Sequence, residues 1–217
     1  MSPKIKVKEN NVKEIRIKEV HGELLAIART ISPLLLDAIA QNCPLSISPT
    51  STEPFPERLC RAVTGQQLSV KAAASIWKRL ASSPAANTTL MAHFATAAPE
   101  QLQGCGLSRA KTKTIQGIAE AAKAGQLDTT ELSQLTHTAR TQKLTALWGV
   151  GQWTADMMGI FYFGDADIWP DGDTAARKTL EQLTSKRRKI TRTAAHFTPY
   201  RSYLALHMWK HLDASPD

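Results

Sequence analysis

From His21 onward, apolar residues recur at every third or fourth position and almost never at every second one. GELLAIARTI, PLLLDAIAQ, PFPERLCRAVTGQQLS, SVKAAASIWKRLAS, SRAKTKTIQGIAEAAKAG, TARTQKLTALWG, GQWTADMMGIFYFG, DTAARKTLEQL and PYRSYLALHMWKHL read this way, with turn residues between them. A helix lays one stripe on a core with a period of about 3.6 residues, whereas a half-buried strand needs a period of two. The body is therefore expected to be all-α. Ser32-Pro33 separates two helices and Gly65 joins two more. Ser108 stands as an N-cap and Gly125 as a C-cap around an Ala-rich helix.

Residues 1–20 differ. KIKVK and EIRIKEV alternate basic and apolar residues, with six Lys or Arg against Glu9 and Glu14 up to Lys18. The pattern fits an edge strand, a loose basic arm or a solvated tail, and residues 1–20 are set apart as a basic N-terminal arm. CPLSISPTSTEPFP is too rich in turn residues to be an element. Boundaries near Ser46–Pro56 and Gly164–Pro170 divide residues 21–217 into two helical lobes: one of about 55–163, the other of about 21–45 plus 171–213. A cleft between such lobes is where a site is expected.

At 217 residues, with 27 Lys and Arg against 19 Asp and Glu, the net charge is +8 and the pI about 9.5. A chain of this length buries a core without disulfides or metals. Cys43, Cys60 and Cys105 are too few and too scattered for a disulfide framework, a zinc site or an iron–sulfur centre. No apolar run reaches the roughly 18 residues of a membrane helix, and the first 20 residues lack the apolar core of a secretory signal. The positive excess points to a polyanionic partner.

The strongest local signal is LTALWGVGQWTADMM, residues 144–158. One helix ends near Leu147-Trp148, Gly149-Val150-Gly151 makes a tight turn, and a second helix starts near Gln152. Two glycines two residues apart allow positive φ and bring bare backbone close to a ligand. A helix N-terminus behind such a turn suits a phosphate, directly or through a bound cation. Thr154-Ala155 packs the second helix on the first. An ordinary helix–turn–helix corner with a glycine cap would look similar. About 22 residues later, DIWPDGDTAARK places Asp173 at a helix start after Pro170 and Gly172. Taken alone, Asp173 reads as an N-cap holding the amide of Ala175 or Ala176.

Hairpin, loop and aspartate together resemble the helix–hairpin–helix base-excision DNA glycosylase superfamily, and within it the 3-methyladenine DNA glycosylase II branch. PFPERLCRAVTGQQLSVKAAASIWKRL (54–80), GLSRAKTKTIQGIAEAA (106–122) and FTPYRSYLALHMWKH (197–211) extend the resemblance over most of residues 22–212. It implies a two-lobed helical fold and a monofunctional enzyme of base excision repair, which flips an alkylated purine out of duplex DNA and hydrolyses its N-glycosidic bond. Asp173 matches the catalytic carboxylate that activates water or stabilises the oxocarbenium-like sugar. Trp153 stands where lyase members carry a Schiff-base lysine, so a hydrolase is implied. Its indole also offers a face to a cationic base. Phe197 matches the opposite pocket wall, and Met157 takes a position that some relatives fill with tyrosine.

By the same resemblance, Gly149, Val150, Gly151 and Thr154 grip the DNA backbone. Gln66, Gln67 and Leu68 follow Gly65 in the loop that enters the minor groove, with Gln67 or Leu68 filling the hole left by the flipped nucleotide. Lys111 and Arg201 are expected phosphate contacts, beside Arg109, Lys113 and the run Lys186-Arg187-Arg188-Lys189 with Arg192. No organic cofactor is expected. A structural Na+ or K+ is conceivable at the backbone of Leu147 and Gly149. No cysteine follows Cys105, whereas related branches carry a four-cysteine cluster there. The expected partner is double-stranded DNA with damaged bases, with no membrane and a monomeric enzyme, in a bacterial cytoplasm (nucleoid) or a eukaryotic nucleus. Two alternatives stay open: a non-enzymatic helix–hairpin–helix DNA-binding module with Asp173 only a cap, and a glycosylase with lyase activity.

Overall fold

The computed structural model describes residues 3–49, 52–185 and 188–214, with the backbone alone for residues 3–13 and 214. In chain order the helices are α1 (Pro3–Ile31), α2 (Pro33–Gln41), α3 (Phe55–Gly65), α4 (Val70–Ala81), α5 (Leu90–Thr96) and α6 (Pro99–Gly104). There follow α7 (Arg109–Lys123), α8 (Thr129–Gln134), α9 (His137–Thr145), α10 (Gln152–Met158) with a π-helical turn at Gly159–Phe163, α11 (Thr174–Leu183), α12 (Ile190–Ala195) and α13 (Arg201–Ala214). No strand occurs among the described residues, so the fold is all-α as its apolar period requires. No helix among them is long and apolar enough to cross a membrane.

From Pro3 on, the expected arm is not set apart from the body. These residues belong to α1, which runs unbroken from Pro3 to Ile31. The alternation misleads because Ile15 and Ile17 are two apart, yet Ile15 is exposed and only Ile17 turns partly inward. Ile17 joins Val20, Leu24 and Ala28 on one stripe at helical spacing, and the last three are buried. Glu14 and Lys18 pair at 2.8 Å across one turn of the same helix.

The chain divides into two compact units. One combines the residues up to Ser48 with those from Gly164 on; the other is Pro49–Phe163. In the first, α1 and α2 close over α11 and α13 around Leu24, Leu35, Ile39, Leu180, Phe197 and Leu204. Two distant hydrogen bonds fasten this discontinuous unit: Ser32 Oγ donates to the Leu183 carbonyl at 2.7 Å, and Asn42 Nδ2 donates to the His207 carbonyl at 2.9 Å. The second unit packs α3, α5 and α7 around Phe55, Leu59, Phe94, Ile115 and Ile118, all wholly buried. Within it, Arg140 is buried but satisfied. Its guanidinium donates to the Leu132 and Leu135 carbonyls at 2.9 Å each and lies 3.8 Å from the Phe163 ring centroid.

Candidate active site and DNA interface

The hairpin of the second unit is built from its glycine outward. Helix α9 ends at Thr145, and Val150 N donates back to the Leu147 carbonyl at 3.1 Å to close the turn. Gly149 sits at φ +80°, and a Cβ there would overlap Thr114 Oγ1 on α7. Glycine is thus required twice, by backbone conformation and by contact. Gly151 is the N-cap of α10, whose ladder begins with Ala155 N donating to the Gly151 carbonyl at 3.1 Å. The amides of the first turn lie outside that ladder, at the positive end of the helix. A buried carboxylate holds the two helices in register. Asp156 Oδ1 accepts from Gln152 Nε2 at 2.7 Å and lies 2.9 Å from His137 Nε2 at the start of α9.

Gly65–Leu68 forms a second tight turn in this unit, with Leu68 N donating to the Gly65 carbonyl at 3.2 Å. Gln67 takes φ +57°, an unusual conformation for a residue with a side chain. Gln67 and Leu68 are exposed, Leu68 by 41%. Behind them Gln66 Nε2 donates to Thr154 Oγ1 at 3.0 Å, tying this turn to α10. Lys111 Nζ donates to the carbonyls of Thr64 at 2.9 Å and Gln66 at 2.6 Å. Trp153, one residue before Thr154, keeps 40% of its surface open.

In the first unit, Asp173 is the N-cap of α11, and its Oδ1 accepts from Ala176 N at 2.8 Å. The same oxygen accepts from the indole of Trp209 on α13 at 3.0 Å. Its negative charge therefore sits at the positive pole of α11, with two N–H groups directed at it. A cap needs only the first of these.

A family model for HhH-GPD superfamily base excision DNA repair proteins matches residues 60–198. The chain belongs to this superfamily. It is 31% identical over 172 residues to the DNA-3-methyladenine glycosylase 1 of Schizosaccharomyces pombe, covering 73% of this chain and 72% of that one. Among solved structures, an S. pombe 3-methyladenine DNA glycosylase in complex with abasic DNA matches with a TM-score of 0.75 and 25% identity, over 88% of this chain and 95% of that one. A DNA-3-methyladenine glycosidase of Bacillus halodurans matches with a TM-score of 0.72 and 27% identity, over 87% and 88%.

Several side chains of this HhH-GPD protein are engaged elsewhere than the sequence suggests. Phe197 is 0% exposed, packed in the core of the first unit, and offers no face to a base. Met157 is buried too. Arg201 is engaged within the protein: its Nε and Nη2 donate to the Asp167 carboxylate at 2.7 and 3.0 Å. Burial alone would raise the pKa of Asp167, but the Arg201 hydrogen bonds and charge outweigh it and hold it below the usual value. Lys111 likewise faces carbonyls, and burial lowers its pKa. Val150 has a buried side chain and a bonded amide, and Thr154 is buried with its hydroxyl on Gln66. Lys186 and Arg187 of the basic run lie outside the described residues.

What the sequence reading missed is Trp209, Thr114 and the His137–Asp156 pair. An aromatic residue in the last helix signals a core position, and nothing in its spacing points to Asp173.

Proposed function

We propose that this protein is a monofunctional DNA glycosylase that releases alkylated purines, of the 3-methyladenine and 7-methylguanine type, from double-stranded DNA. The observation that carries the reading is the Asp173 carboxylate, held by the Ala176 amide and the Trp209 indole, in an HhH-GPD chain whose relatives are named 3-methyladenine glycosylases. A fixed anion is what N-glycosidic cleavage needs. As the bond from the base to C1′ breaks, positive charge develops on the sugar, and a carboxylate beside it stabilises that charge and orients the attacking water. Oriented N–H groups keep the carboxylate in place without solvent reorganisation at the moment of reaction.

The other parts have separate tasks. The Gly149–Gly151 turn and first-turn amides of α10 take a backbone phosphate without reading sequence. Gln67 and Leu68 enter the minor groove and fill the space of the extruded nucleotide. Trp153 presents a part-exposed indole, and a cationic alkylated base gains roughly 0.5–2 kcal/mol from such a face. No amine is present at position 153, which supports hydrolysis over lyase chemistry.

An alkali cation is compatible with the hairpin. The Leu147 carbonyl accepts one amide and keeps a second lone pair, and Gly149 adds another hard oxygen at the same turn. Bound there, Na+ or K+ would add positive charge beside the phosphate. The test of the function is chromatographic: wild-type protein incubated with methylated duplex DNA releases free 3-methyladenine or 7-methylguanine and leaves abasic sites. Borohydride traps no covalent adduct. DNA binding without base release would favour the reading that Asp173 is a cap and nothing more, which its genuine N-cap geometry allows.

A further inference from the structure

The positive φ of Gln67 needs an explanation, because the left-handed region crowds the Cβ of any residue but glycine against its own backbone. Such strain persists only where the surroundings over-determine it. Here the surroundings are specific. Helix α3 ends at Gly65, and the Lys111 ammonium sits at its C-terminal pole with hydrogen bonds to the carbonyls of Thr64 and Gln66, one just before the turn and one within it. From the other side, Gln66 is tied to Thr154 of α10. Three residues along α7 from Lys111, on the same helical face, Thr114 packs against Gly149 of the hairpin. One face of α7 thus supports both turns.

Resting on the glycosylase reading, we infer that Lys111 is a positioning residue for nucleotide extrusion rather than a phosphate ligand. Its ammonium fixes the Gly65–Leu68 turn in advance, so that Gln67 and Leu68 meet the duplex already shaped to replace a base. Without that bolt the turn relaxes toward ordinary backbone conformations, and ordering it again is added to the energy of extrusion. The cost falls only on steps that need the plug. Extrusion of a paired base requires it; a base already in a single strand has no pair to leave and less stacking to lose. Removing Lys111 therefore affects paired and unpaired lesions differently, which a general loss of stability would not do.

The experiment compares wild type, Lys111→Met and Lys111→Arg by single-turnover base release at saturating enzyme. The substrates carry one 7-methylguanine either paired in duplex DNA or in single-stranded DNA of the same sequence. Lys111→Met is expected to lose at least tenfold in rate on the duplex and less than threefold on the single strand, with partial recovery in Lys111→Arg. The salt dependence of duplex binding is expected to keep its slope, because no phosphate contact is removed. A slope lower by about 0.9 would make Lys111 a phosphate ligand and overturn the inference. Equal losses on both substrates would reduce Lys111 to a structural residue, and no loss on either would also overturn it. Thermal melting of Lys111→Met identifies a variant that has failed to fold; Gln66→Ala, which cuts the opposite tie, is then expected to show the same duplex-selective loss. If wild type releases base from neither substrate, it is the glycosylase reading that fails.

Discussion

Asp128 and Asp173 begin helices in the same way. Asp128, in the second unit, accepts from Glu131 N at 2.9 Å; Asp173, in the first, accepts from Ala176 N at 2.8 Å. Both adopt extended backbone at the cap, and both place a negative charge at a positive helix end. The difference lies behind them. Asp128 is exposed, whereas Asp173 is half-buried and receives the Trp209 indole from a helix that follows it in the chain. A cap is a local device and stabilises its own helix. An indole brought by tertiary packing onto the same oxygen fixes the carboxylate itself, which a cap does not need and a reaction does.

The comparison is sharpest under substitution to Asn, which caps as well as Asp but carries no charge. Asp173→Asn is expected to lower single-turnover base release about 10³-fold, the scale of removing one preorganised electrostatic group. Asp128→Asn is expected to stay within twofold of wild type. Next in size is Trp209→Phe, which keeps the ring and removes its N–H. Loss of a hydrogen bond to a charged acceptor, about 1.5–3 kcal/mol, predicts a drop in release of roughly 10- to 100-fold with little change in DNA affinity.

A third test acts on α13 through acid. His207 is buried nearly two turns from the start of the helix that carries Trp209, and burial, with its neighbour His21, lowers its pKa from 6.5 to about 4. The unfolded chain takes up the proton first, so this contribution to stability is complete above about pH 6.5 and is lost as the pH falls toward about 4. Melting temperature should fall by several degrees over that window, and His207→Leu should flatten the slope. The smallest effect belongs to the caps alone. Asp128→Ala is expected to cost about 1 kcal/mol in denaturant unfolding without altering base release.

How much of this was legible in the sequence depends on how far each partner lies along the chain. The helical period announced the all-α fold, and Gly149, Gly151 and Asp173 stand in short motifs whose geometry is local. Residues 1–20 misread because a window of a few residues cannot tell Ile15–Ile17 alternation from the edge of the stripe through Val20, Leu24 and Ala28. Lys111 and Arg201 read as phosphate contacts because both are basic. Their partners within the protein, the carbonyls of Thr64 and Gln66 and the carboxylate of Asp167, lie 34 to 47 residues away. Phe197 shows the same limit in the apolar direction: an aromatic residue after a turn looks the same whether it lines a pocket or fills a core. Trp209 was silent for that reason as well.

The proposed role of Asp173 is chemistry beyond capping α11. It is tested most directly by single-turnover release of 3-methyladenine from methylated duplex DNA, with wild type, Asp173→Asn and Asp128→Asn side by side and duplex affinity measured for each. Release is expected from wild type and Asp128→Asn and almost none from Asp173→Asn, with the same DNA affinity for all three. Equal release by wild type and Asp173→Asn would contradict this and return Asp173 to the role that Asp128 already fills.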